Sequence, residues 1–508
     1  MPRLSGVEVV RPRRNGGRVY AMQDAGAGAG AGRAGAPTER LIEAALVVVA
    51  EVASPRGHDV GAQLAALAGA GASVLTGLDV GARTVLATGM VLARVRAGAF
   101  GAAAELAAAE TSRVADGLFG VTPADASAFW AAIAEVAVLG GDLGVAVDAS
   151  RRASDAAAGH LGAQERAAGL RAVVLALEGR YGEAGRIARQ AVADAPGLPT
   201  PAALCAEMVV AVARSDVLRL RANTATLART PIPWARVMAG IAASAAGVLS
   251  GAPEQALGDG ALMNGIESDS LPVLLRQLAG EWVSAAHIVR GESWRALALW
   301  QGESSTAHHV VCVEGARAVA HLGLGEPRAA LRATEACLRS GPRHSRRTFP
   351  GMLLVRAVAH TRLGDAQAAS LAVDEAVAIA QQVGEGTVLA PVGVASEELC
   401  DLLERCADDR PHLADTARTL ASRWRRLPQL PEAAPAMPPL TRREHAVAWA
   451  LRDHATVAGI ATAFTVSTNT VKTQLRRLYA KIGVAGKQDA LDRLEASGFF
   501  VAAGPPQE

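Results

Sequence analysis

Residues 440–500 read LTRREHAVAWALRDHATVAGIATAFTVSTNTVKTQLRRLYAKIGVAGKQDALDRLEASGFF, and their caps divide them into helices. Thr441-x-x-Glu444 is a capping box, in which the Thr hydroxyl meets the N3 amide and the Glu reaches back to the cap amide. It predicts a helix to about Arg452 with Val447 and Leu451 inward. Thr456 caps a second, short helix carrying Ile460 and Ala461, and Phe464-Thr465-Val466 supplies the turn. Ser467 caps a third helix through about Ile482, on which Val471, Leu475, Leu478 and Ile482 keep the rhythm of a buried stripe. At 100° per residue Asn469, Lys472, Thr473 and Arg476 fall on the opposite face, Arg477 and Lys481 flank it, and no acid occurs between Ser467 and Ile482. A cationic face on a helix that follows a short helix and a tight turn suits the major groove of DNA. The bland alternative is a solvated helix surface.

Charge is distributed accordingly. The chain carries +2 overall, yet residues 440–500 alone carry +4 and residues 1–439 carry −1. The only lysines are Lys472, Lys481 and Lys487. Basic character gathered in one small block is the footprint of a nucleic-acid contact.

Upstream, the 508 residues are 50% hydrophobic but only 3% aromatic, much of it Ala, which favours closely packed helices. Helical periodicity runs from about Arg40 to Trp424. Within it a Gly followed five residues later by Ala recurs: Gly98/Ala103, Gly141/Ala146, Gly179/Ala184, Gly251/Ala256, Gly291/Ala296, Gly325/Ala330 and Gly364/Ala369. The glycine spacings are 43, 38, 72, 40, 34 and 39, and 72 is two units with a degenerate copy near Ser215. A helical hairpin explains the pair: Gly ends one helix in a left-handed cap, and Ala lets the next approach closely. Glu178–Ala184 (EGRYGEA) and Leu363–Ala369 (LGDAQAA), with Ala191 and Ala376 seven residues on, resemble the turn of the tetratricopeptide repeat. The expected fold is all-α, a tetratricopeptide-like α-solenoid of about eight hairpins. An irregular helical bundle is the alternative.

The expected organisation is an Arg/Gly/Ala-rich, disordered terminus over residues 1–37, repeats over 38–426, a Pro-rich linker over 427–439 (LPQLPEAAPAMPP), a DNA-binding domain over 440–500 and a tail over 501–508. Trp282, Trp294 and Trp300 fall in one repeat region, where core packing is favoured over lining a groove. Trp449 and Tyr479 are expected to pack.

The segment from Leu440 to about Phe500 resembles the LuxR-type helix-turn-helix domain in Leu440-Thr441-x-x-Glu444, Ile460-Ala461, Ser467-x-x-Thr470-Val471-Lys472, Leu475, Tyr479, Lys481, Gly483-Val484 and Ala490. The resemblance implies four helices, the fourth near Lys487–Ser497 and used for dimerisation. It also implies that Lys472, Thr473 and Arg476 reach bases, joined on the same face by Asn469, and that Thr470, Arg477, Lys481 and Lys487 lie near phosphates. Gln474, Gly459 and Lys487 depart from the family's usual residues, and Ala485-Gly486 is a poor cap for the fourth helix. Repeats before such a domain look like the C-terminal part of the large ATP-binding LuxR regulators. A working P-loop domain is excluded, because it needs a Lys and none precedes Lys472. The same absence excludes a phosphoacceptor receiver, a protein kinase and a Schiff-base enzyme in the first 471 residues.

The expected function is a sequence-specific transcription regulator, not an enzyme, whose repeats sense a protein or small-molecule effector. The expected partners are double-stranded DNA and a second copy of the chain. The rival is a solenoid scaffold with a vestigial DNA-binding domain. No cofactor or metal is expected: Cys205, Cys312, Cys337, Cys400 and Cys406 lack C-x-x-C spacing, which points to buried thiols in a reduced compartment, and the adjacent His308-His309 make a poor chelate. With no signal peptide, and with the longest uncharged run, Val60–Leu78, broken by four glycines, a cytoplasmic protein without a membrane span is expected.

Overall fold

The computed structural model describes residues 35–502 except 54–58, 115–117, 119, 194–199, 231, 259–270, 306–308, 342–343, 384–394, 432–437, 439 and 483. Among the described residues every regular element is a helix. Helices Val80–Arg96 and Phe100–Arg113 form the first hairpin marked by the Gly/Ala signature. Seven more follow, down to Phe349–Arg362 with Ala366–Val383, and Glu397–Asp409 with Ala414–Trp424 closes the array without that signature. The first helices of successive hairpins pack on one another, so the array is a solenoid.

The turn glycines do what their spacing predicted. Gly98, Gly141, Gly179, Gly251, Gly291, Gly325 and Gly364 all have φ between 74° and 86°, the left-handed conformation that costs a Cβ-bearing residue strain. Ser215 occupies the degenerate copy and takes the same conformation, φ 56°, without being glycine. All eight turns close with the same bond, from the amide after the left-handed residue to a carbonyl five residues back. Examples are Asp142 to Ala137 at 2.9 Å, Asp216 to Ala211 at 2.9 Å and Arg180 to Leu175 at 2.8 Å. The signature alanines are buried: Ala103, Ala146, Ala184, Ala256, Ala296 and Ala369 are 0% exposed and Ala330 1%. Any larger side chain there would push the two helices of a hairpin apart.

The array folds back on itself. Ser345 Oγ lies 3.5 Å from the carbonyl of Leu177, and a Cβ on Gly179 would come within 2.9 Å of the Arg347 amide. Gly179 is thus required both by its φ and by the chain that crosses it. Arg347, 3% exposed, donates to the Val310 carbonyl at 2.7 Å and to Glu281 at 3.0 Å. Deeper in the array Glu135 accepts from Arg166 (3.0 Å) and from the Trp234 indole (3.2 Å), so three hairpins share one buried carboxylate.

Some boundaries differ from expectation. The first helix, Gly35–Ala53, already includes the last three residues assigned to the disordered terminus; residues 1–34 lie outside the described residues. The linker does not begin free at Leu427: Leu430 is 7% exposed within the core of the last hairpins, and its amide donates to the Ala395 carbonyl at 2.6 Å. Two leucines three apart give this stretch an apolar face despite its prolines. Of the three tryptophans, Trp282 and Trp300 are core, the latter against Gly280, while half-buried Trp294 meets Gly498 of the C-terminal domain. No described helix is long and apolar enough to cross a membrane.

Candidate nucleic-acid interface

The C-terminal domain has a core of its own. Val447, Leu451, Ile460, Ala461, Val471, Leu475, Leu478 and Ile482 are buried together, with Ala490 and Leu494 from the fourth helix closing it. Helix Arg442–Asp453 opens on the expected capping box, the Thr441 amide donating to Glu444 Oε2 at 2.8 Å and the Glu444 amide to Thr441 Oγ1 at 3.3 Å. Thr456 caps Val457–Ala463 through the Gly459 amide at 3.1 Å. Thr465 takes the left-handed φ of 53° in the tight turn, and Ser467 Oγ accepts the Thr470 amide at 3.1 Å to start Thr468–Ile482. Helix Lys487–Ala496 follows, with Gly486 giving no side-chain cap. A further short helix, Phe499–Ala502, runs two residues past the expected limit of 500, and its Phe499 and Phe500 rings pack tilted and edge-on against His445 (4.7 Å) and Trp449 (5.4 Å).

Packing of Val471, Leu475, Leu478 and Ile482 fixes which way the third helix faces. Asn469, Thr470, Lys472, Thr473, Arg476, Arg477 and Lys481 are all exposed. Among the described residues Lys472, Arg476 and Arg477 enter no ion pair, so their charge is directed at solvent. Thr473 Oγ1 is turned back onto the Asn469 carbonyl at 3.0 Å.

The two remaining lysines, expected near phosphates, also hold contacts within the domain. Lys481 Nζ is 2.6 Å from Glu444 Oε2, so it pins the third helix to the cap of the first helix. Hydrogen bonding from Lys481, reinforced by the Thr441 amide, holds the Glu444 carboxyl down at about 2. Half-buried Lys487 donates to the carbonyls of His454 (2.7 Å) and Ala455 (3.3 Å), compensating the exposed carbonyl end of the first helix. An ammonium has three donors, so neither residue is exhausted by these bonds. These ties join residues 32 or more apart, which explains why spacing within one helix gave no hint of them. Of the departures from the family's usual residues, Gln474 is half-buried with its Oε1 lacking a hydrogen-bond partner.

Four short helices, a left-handed turn before the third, and a cationic face with no acid on it define a helix-turn-helix DNA-binding domain. Residues 438–494 match the family described as bacterial regulatory proteins, luxR family, and this part of the chain is a LuxR-type helix-turn-helix domain, the DNA-binding part of a transcription regulator. No curated protein matches the chain.

Proposed function

We propose that the protein is a sequence-specific transcription regulator whose helix Thr468–Ile482 lies in the major groove and whose repeats respond to an effector. The observation that carries this reading is that Lys472, Arg476 and Arg477 are exposed, and without an ion pair among the described residues, on a helix whose other face is locked into a core. Lys472 and Arg476 lie one turn apart and suit guanine edges; Asn469 suits adenine, and Thr473 completes the reading face. Thr470 and Arg477 flank that face and meet phosphates, with Lys481 and Lys487 contributing their remaining donors. Two copies bind as a dimer through the fourth helix, on half-sites about one helical turn apart. Catalysis has no part in this reading.

Support for an effector comes from the inner side of the array. An apolar pocket opens between five successive first helices, lined by Leu170, Val173, Val209, Met238 and Leu274 beside the shared carboxylate of Glu135. Apolar walls beside one polar group are the lining that small-molecule sites use, but the free volume is about 30 Å³, so an effector that enters must spread these helices. The scaffold alternative, with a vestigial DNA-binding domain, gains no support from a domain whose first three helix caps, core and cationic face are intact.

Sequencing fragments that the full chain retains from a random DNA pool tests the proposal. A recurrent motif of two half-sites is expected, and retention without sequence enrichment would overturn sequence-specific regulation.

A further inference from the structure

Four side chains that sequence spacing kept apart meet inside the repeat array. His309 precedes helix Val313–Gly323 and Cys312 is that helix's N-cap, Cys337 lies in helix Glu335–Ser340, and His344 lies just before helix Phe349–Arg362. All four are buried, between 3% and 7% exposed, and one ligand atom from each lies within 4.8 Å of the others. The histidine neighbouring His309, His308, lies outside the described residues.

The distances fit one ion. Zinc holds thiolate sulfur at about 2.3 Å and imidazole nitrogen at about 2.0–2.1 Å, so a tetrahedral site has an S···S edge of about 3.8 Å and an N···N edge of about 3.3 Å. Cys312 Sγ and Cys337 Sγ are 3.7 Å apart, already at that edge and well beyond a disulfide's bond length of about 2.05 Å. His309 Nε2 and His344 Nε2 are 2.8 Å apart and need to separate by only about half an ångström. Both imidazoles therefore turn Nε2 toward each other, and one nitrogen of each lies within 4.8 Å of both sulfurs. The surroundings suit ligation too. The Gly315 amide donates to Cys312 Sγ at 3.2 Å, and His344 Nδ1 lies 3.2 Å from the Ser345 carbonyl, which favours the tautomer with Nε2 free for a metal.

We propose that His309, Cys312, Cys337 and His344 form a closed, four-coordinate structural metal site whose resident ion is Zn²⁺. Two thiolates neutralise the ion's charge, which is what a buried site requires, and with no position left open it does no catalysis. Its place gives it a structural task. Val310, between two ligands, accepts from Arg347, and Ser345, next to the last ligand, meets Leu177. The ion staples the irregular segments where the array folds back onto its own earlier turn, so the array's curvature depends on metal. The pattern His-x₂-Cys…Cys-x₆-His draws on two segments separated by 24 residues, a spacing that no search for paired cysteines detects.

The test is elemental analysis of the untagged full chain, purified under reducing conditions. About one zinc per chain is expected, falling below about a tenth in Cys312→Ser/Cys337→Ser, while Cys406→Ser, a buried thiol outside the cluster, keeps its metal. Should the double variant fail to fold, the unaltered chain still decides: after chelation, added Co²⁺ must give the intense visible bands and thiolate charge transfer of a tetrahedral S₂N₂ site, and zinc must abolish them. A chain that contains no zinc and gives only the weak spectrum of octahedral cobalt overturns the proposal. So does recovery of Cys312 and Cys337 as a disulfide from reduced protein, or retention of full metal content in the double variant.

Discussion

Arg166 in the repeat array and Arg476 in helix Thr468–Ile482 carry the same guanidinium under opposite conditions. Arg166 is 5% exposed and bonded to Glu135 at 3.0 Å; burial pushes it down to about 10, with the Glu135 carboxylate opposing the shift. Arg476 is exposed, and among the described residues it pairs with no acid. The contrast is general. Arg83 pairs with Glu110 within the first hairpin, and Arg347 with Glu281 and Arg362 with Glu398 across hairpins, so the array uses its arginines to tie its helices together. A charge already paired in a fold has little left for a partner, whereas one held toward solvent by a buried stripe beneath it has nearly all of it. Residue type alone does not distinguish structure from recognition; the neighbour does.

The comparison breaks most easily at Glu135. Glu135→Ala leaves Arg166 buried without its partner and the Trp234 indole unbonded, and should destabilise the array by about 3–5 kcal/mol in urea unfolding. DNA binding by a fragment of residues 436–508, which carries its own core, cannot be affected. A loss below about 1 kcal/mol would mean that the buried cluster ties nothing together. Arg476→Ala is the converse case. It should cost about 1–3 kcal/mol on preferred DNA and leave the melting temperature within error.

The turns sharpen the account at smaller scale. Gly141→Ala forces a Cβ into φ 79° and should cost about 1–2 kcal/mol, while Ser215→Gly relieves φ 56° and should gain up to about 1 kcal/mol. Equal effects of the same sign in thermal unfolding would show that the eight turns are not equivalent. The smallest effect is acid sensitivity at Glu444. Its carboxyl is held below the ordinary value of 4.5, at about 2, so it contributes stability above pH 4.5 that fades as pH falls toward 2. The pair is partly exposed, so Glu444→Gln should remove less than about 1 kcal/mol at neutral pH and flatten that acid limb.

What was legible in the sequence follows from how local each signal is. Caps at Thr441, Thr456 and Ser467 act over three residues, and the buried stripe of the third helix, Val471 to Ile482, acts over twelve, so both could be read directly. The left-handed turns were legible through Gly and Ala, and even the copy at Ser215 was located by the period it would otherwise break. Contacts that join distant segments were not legible: the Lys481–Glu444 pair, the Lys487 bond to the first helix, the docking of Leu430 on the last hairpins, and the four-residue cluster around Cys312. Composition cannot separate a lysine that points outward from one that folds back 33 residues to a carbonyl.

The most direct test compares Arg476→Ala with Lys487→Ala on preferred and random DNA at two salt concentrations. Arg476→Ala should lose affinity for the preferred sequence alone. Lys487→Ala should weaken both sequences about equally, reduce the salt slope by at most about one unit and lower the melting temperature, because its ammonium also holds the first helix. If the two variants lose the same affinity on both DNAs, helix Thr468–Ile482 does not read sequence, and the assignment of this face to the major groove is wrong.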